Sequence, residues 1–148
     1  MGSAMGPKEL KRLNDWRARF DAACDEMRLK PFEWGGNDCA AGLAAKLVLA
    51  LTGVDVAADY RGRYKTRAGA LRVMKAAGFA SLGDLAASLL PEHEHPSMAR
   101  VGDIVTVTNS DAFGEGFGVV NGERVFVLTE HGFGTVDRSL ANRAFKVG

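Results

Sequence analysis

The chain has 148 residues, of which 47% are hydrophobic and 25% charged, and a net charge of +1. That length fits one domain able to bury a core without disulfide or metal staples. The near-neutral, mixed charge excludes a nucleic-acid binder driven by a basic face. The two cysteines, Cys24 and Cys39, are too few for a disulfide scaffold and have no zinc spacing. No apolar run reaches the roughly 18 residues of a membrane span. The longest, residues 40–51, is interrupted by Gly42 and Lys46. Residues 1–6 lack the basic-then-apolar plan of a secretory signal, and residues 1–7 read as a flexible start or a tag remnant.

In chain order, Leu10, Leu13, Trp16 or Arg17, Phe20, Ala23 or Cys24, and Met27 follow three-four spacing and predict one amphipathic helix over residues 8–29, ended by Pro31. Cys24 falls on its apolar face as a small buried hydrophobe. A loop of residues 31–38 leads into a second helix with Leu43, Leu47, Val48 and Leu51 inward. Asn37 or Asp38 caps its start, and Thr52-Gly53 closes it. Residues 60–65 are a basic, aromatic connection. A third helix spans residues 66–77, with Gly78 as its stop. Ser81 and Asp84 form a capping box for a fourth helix that ends at Pro91.

After a polar linker with His93 and His95, the pattern changes. Residues 104–107 are β-rich, and residues 117–120 and 123–128 flank Asn121-Gly122, a hairpin signal. Further strands are expected at residues 135–136 and 144–147. Helices followed by an antiparallel meander make an α+β domain.

Cys39 is the residue with the clearest chemistry. It falls at the first or second position of a helix, where unpaired N–H groups and the dipole favour a thiolate. Gly35-Gly36 lets the backbone pass close to a substrate, and Trp34 can wall a cleft. The competing reading is a small residue at a tight loop–helix junction. Asn37 and Asp38 are cleft candidates, although capping alone accounts for both.

Residues 34–43, Trp-Gly-Gly-Asn-Asp-Cys-Ala-Ala-Gly-Leu, resemble the nucleophile segment of NlpC-type papain-like cysteine hydrolases. Val101-Gly102-Asp103-Ile104-Val105 resembles the Gly-Asp strand of that family. Gly116-Phe117-Gly118-Val119 resembles its His-Val-Gly-Ile strand. The resemblance implies a papain-like fold with N-terminal helices on a C-terminal antiparallel sheet, Cys39 as nucleophile, and cell-wall peptides as substrate. The chain is also similar, over almost its whole length, to a family of small proteins encoded in phage and prophage tail gene clusters. The shared features include Arg61-Gly62-Arg63-Tyr64, Gly78-Phe79 and Ala99-Arg100-Val101-Gly102-Asp103. That second resemblance implies tail proteins as partners and a location in the virion tail, or in the host cytoplasm during assembly. No cofactor and no metal are expected.

The histidine of the hydrolase strand is replaced by Gly116. A two-residue Asn121-Gly122 turn would pair Gly116 with Val127, so the polar residue that would orient an imidazole is also absent. An imidazole introduced at position 116 is expected to face Cys39. His131, just past the second hairpin strand, is the alternative base. Two functions follow: a tail-tip assembly or binding protein without turnover, or a cysteine peptidase or amidase using Cys39 and His131. Other residues carry weaker signals. His93 and His95 read as solvated linker residues, a metal pair lacking a third ligand. Asp111 and Glu115 read as a solvated turn. Gly114-x-Gly116-x-Gly118 has no helix after it and is no dinucleotide fingerprint. Arg61, Arg63, Lys65 and Arg67 are either an anion patch or a solvated connection.

Overall fold

A computed structural model describes residues 7–109 and 114–148. Asp111 and most of the proposed flexible start lie outside them. Helices α1 (Trp16–Leu29), α2 (Ala45–Thr52), α3 (Arg67–Ala76) and α4 (Leu82–Leu89) precede the strands. A π-helical segment, Cys39–Ala44, runs directly into α2. Strands β1 (Ile104–Thr108), β2 (Glu115–Asn121), β3 (Arg124–Thr129), β4 (Gly132–Asp137) and β5 (Ala141–Phe145) form one antiparallel sheet in the order β4-β3-β2-β1-β5. The fold is thus α+β, four helices packed on a five-stranded sheet.

Alternation along the strands assigns the two faces. Ile104, Phe117, Val119, Phe126, Leu128 and Phe145 join Phe20, Leu43, Leu47 and Leu51 in the main core. Val105, Val107, Val120, Val125 and Ala144 form a second cluster on the opposite face. Gly118 lies in that second layer, where a Cβ would meet Val125 Cγ1 at 2.4 Å. Thr106 faces the helices fully buried, and its hydroxyl has no partner among the described residues.

Helix α1 is shorter than the apolar spacing predicts. Residues 7–13 run outside any helix because tertiary bonds claim their backbone and side chains. Lys8 N donates to Leu89 O, Leu13 N to Leu51 O, and Arg12 Nε to Val147 O. Once fixed, α1 buries Phe20, Cys24 and Met27 along one face. The hairpin also departs from expectation. Asn121 pairs with Arg124, and Gly118, not Gly116, faces Val127. The loop is Gly122-Glu123, with Gly122 at φ +77° supplying the left-handed residue. The register moves by two residues, so the faces are unchanged. The last strands run over residues 132–137 and 141–145 rather than the shorter pieces expected.

The side chain of Asp103 is completely buried. Its Oδ1 accepts from Arg12 Nη2 at 3.2 Å and Val147 N at 3.0 Å. Its Oδ2 meets His93 Nε2 at 2.9 Å and accepts from Arg100 N at 2.9 Å. His93 is therefore a structural partner and not a solvated linker residue. His95 accepts from Ser97 N and caps the short 3₁₀ turn Pro96–Met98. No group of three or more metal-ligating side chains occurs among the described residues. Removing one member of a buried ionic cluster leaves the others unpaired and costs about 3–5 kcal/mol. Asp103→Ala is expected to lose that much stability in urea unfolding, whereas Glu9→Ala, at the exposed pair with Lys146, should leave the unfolding midpoint nearly unchanged.

Candidate functional site

The site is built around the start of the π-helical segment. Asp38 is its N-cap, extended at φ −103°, ψ −170°, which makes Cys39 the first helical residue. One carboxylate oxygen accepts from Ala40 N at 3.0 Å and Ala41 N at 2.7 Å. The other accepts from Gly35 N at 3.0 Å and from the Tyr64 hydroxyl at 2.6 Å. Asp38 is 2% exposed, so these four donors replace its water. The helix-start N–H groups expected to favour a Cys39 thiolate are thus occupied by a carboxylate. Tyr64 stays a protonated phenol: burial, then the Asp38 charge and hydrogen bond, then Cys39, push its ionisation up.

The loop before Cys39 is fixed by close backbone packing. At Gly35, φ is +85° and a Cβ would sit 2.0 Å from Tyr64 O. Gly35 O in turn accepts from Gly62 N at 2.9 Å. Gly35 therefore lets the chain approach the 60–64 connection, whereas a Cβ at Gly36 would meet Glu33 Oε1 at 2.6 Å. Gly42 serves the helix in the same way, since a Cβ there would be 2.7 Å from Asn37 Cα. Asn37 does not cap. Its Nδ2 donates to Pro31 O at 2.8 Å and ties the loop to the end of α1. Its Oδ1 is buried without a partner among the described residues.

Arg61 and Tyr64, read from sequence only as parts of a basic connection, are the residues that hold this loop. Arg61 pairs with Asp55 at 2.5 Å and donates to Ala41 O at 3.1 Å. Arg63 donates to Asp59 O, and Arg67 pairs with Glu130. The three arginines are therefore dispersed among separate partners rather than pooled into one anion patch. Arg61-Gly62-Arg63-Tyr64 was the signal that could have found the two anchors.

Cys39, Trp34, Asp38, Gly116 and His131 line one cavity of about 420 Å³ between the helices and the sheet. Gly36 and Asn37 instead line a separate recess with Lys30, Lys46 and Arg61. His131 is exposed in the two-residue β3–β4 turn, whose flanks Thr129 and Gly132 are paired. The neighbouring Glu130 receives Arg67 from α3 and Trp34 Nε1 at 3.4 Å, bridging three segments at the cavity mouth. Trp34 also stands edge-on to Phe32, 4.9 Å between centroids.

Gly116 opens onto the cavity, but its side of β2 is the one opposite Phe117. A Cβ there would approach Asn109 Nδ2 at 3.2 Å. An imidazole at 116 would leave along that face, away from the helix carrying Cys39, contrary to expectation. Glu115 is also placed differently from the solvated turn expected: its Oε2 accepts from Gly83 N at 2.8 Å, at the start of α4.

Deeper walls of the cavity are apolar, among them Val48, Met74, Ala86, Leu89 and Ile104.

The architecture defines a helix-on-sheet α+β protein with a thiol at the mouth of an apolar cavity. The chain belongs to the family described as "Domain of unknown function (DUF6950)", which matches residues 11–147. No curated protein and no solved structure matches it. No helix among the described residues is long and apolar enough to cross a membrane.

Two outcomes follow. Asp38→Ala removes a cap and leaves the Gly35 N–H without its acceptor, and is expected to cost roughly 2–4 kcal/mol in urea unfolding. Neither cysteine is in a disulfide. Burial pushes the Cys24 thiol up to about 11. Between pH 7 and 9, iodoacetamide should leave Cys24 unmodified in the folded protein and modify it once urea unfolds the chain, as read by mass spectrometry.

Proposed function

We propose that this is a phage or prophage tail-associated protein on a papain-like, NlpC-type scaffold, acting in tail-tip assembly or binding without turnover. Its partners are tail proteins, in the virion tail or in the host cytoplasm during assembly. The observation that carries the absence of turnover is the β2 strand. The position corresponding to the hydrolase histidine is Gly116, and its free side faces away from the Cys39 helix. Thiol attack on an amide needs a base to take the thiol proton and an acid to protonate the leaving amine. Asp38 does not supply the base, because its carboxylate already accepts four hydrogen bonds.

One observation favours a second reading, a cysteine peptidase or amidase acting on cell-wall peptides. His131 lines the same cavity as Cys39. Movement of the β3–β4 turn over the mouth would bring its imidazole toward the thiol. Cys39 would then form a thioester with release of the amine, and water would hydrolyse it.

The two readings separate in the phage. With Cys39→Ala, particles are expected to assemble and infect at wild-type titre. Intact particles that fail to infect would establish the enzyme instead. His131→Ala supplies a second check. The alkylation rate of Cys39 at pH 7 should be unchanged; a tenfold fall would make His131 the base.

A further inference from the structure

We infer that the cavity behind Cys39 is a binding site for a single acyl chain on an uncharged, hydroxyl-bearing head, the chemistry of a monoacylglycerol. The site does not depend on the tail-assembly reading, nor on whether Cys39 turns over a substrate. Three observations select this ligand. The first is shape. Thr108 lies at the mouth and Ile104 at depth on the same strand, about 13 Å apart at the strand rise per residue. The space is long, and its deeper lining is hydrocarbon from α2, α3, α4 and β1. An extended alkyl chain fits it, whereas a polar peptide would bury unpaired amides there.

The second observation is its volume. At about 420 Å³, the cavity falls in the range of small-molecule sites. The small side chains Ala44, Ala45, Ala70 and Ala86 create the space. Larger aliphatic residues at any of them would reduce it.

The third observation is charge at the mouth. Glu115 and Glu130 stand there, with the buried Asp38 behind them, against Arg67 alone among the lysines and arginines of the lining. Arg67 is already paired with Glu130. A fatty carboxylate would enter a field of like charge. Hydroxyl groups instead donate to the outer carboxylates, and the ester carbonyl carries no charge to desolvate.

The test uses the full-length protein and two probes of equal chain length, monolauroylglycerol and laurate, each below its micellar concentration. Thermal unfolding is followed with increasing probe. Monolauroylglycerol should raise Tm saturably, by roughly 5–10 °C at a hundredfold excess over Kd. Laurate should bind at least tenfold more weakly. Ala86→Leu fills the chamber from α4, and should keep or raise its own Tm while losing the ligand-induced rise. If Ala86→Leu does not fold, Val73→Phe on α3 makes the same comparison. Absence of a saturable shift in the wild-type protein overturns the proposal. So does equal binding of laurate, or an undiminished shift in a folded, filled variant.

Discussion

The arrangement of this fold depends on the buried carboxylate of Asp103. A single ionised side chain removed from water needs its lone pairs filled and its charge balanced. Here the four bonds come from parts of the chain far apart in sequence: Arg12 before α1, His93 and Arg100 in the linker, and Val147 after β5. Arg12 also reaches Val147 O, so the segment preceding the helices and the segment following the sheet are fastened at one point. Burial pushes the Arg12 guanidinium down and the Asp103 charge pushes it back up, as expected for an ion held by its partner. Helix and sheet layers meet along an apolar surface that would tolerate sliding. The directional contacts at Asp103 fix how they meet.

A second carboxylate, Asp38, performs a comparable service for the candidate site. It holds the helix start, the Gly35 turn and Tyr64 together, and so sets where Cys39 emerges. The same arrangement places negative charge next to the thiol and uses the N–H groups that would otherwise stabilise a thiolate. Structural order and nucleophilic activation compete at this junction, and the hydrogen bonds favour order. The π-helical turn has the same sense, since both Gly42 N and Leu43 N return to Asp38 O.

Much of this was legible in sequence because apolar spacing reports burial directly. The helix cores, the Ser81 cap, the β1 strand and the faces of the β2–β3 hairpin followed from it. Wider bounds failed where a long-range partner decided the outcome. Leu10 and Leu13 keep helical spacing, yet Arg12 is drawn to Asp103 and the backbone bonds go to α2 and α4. The hairpin register turned on which two residues occupy the loop, Asn121-Gly122 or Gly122-Glu123, and both leave the faces alike. At the site, Cys39, Asp38 and Trp34 were visible as a local motif. Tyr64 and Arg61 were visible only as charge and aromaticity, because the contacts that hold the loop are long-range: Tyr64 to Asp38 and Arg61 to the carbonyl of Ala41. The placement of His131 by the cavity needed the β3–β4 turn, which no residue spacing specifies. Gly35 and Gly42 were legible as glycines, but their reason, backbone against backbone, was not.

The position of β5 has a consequence for how the chain reaches this state. β1 lies inside the sheet, between β2 and β5, although β5 is the most distant strand in sequence. During synthesis β1 can pair with β2 early, but one of its edges stays open until residues 141–145 leave the ribosome. Asp103 meanwhile waits for Val147 to complete its set of donors. An intermediate with an exposed apolar strand edge and an under-bonded buried charge is prone to associate with its own kind. Folding is therefore committed late: loss of residues 141–148 would leave both defects in place, and loss of residues 146–148 alone would leave Asp103 without its Val147 donor.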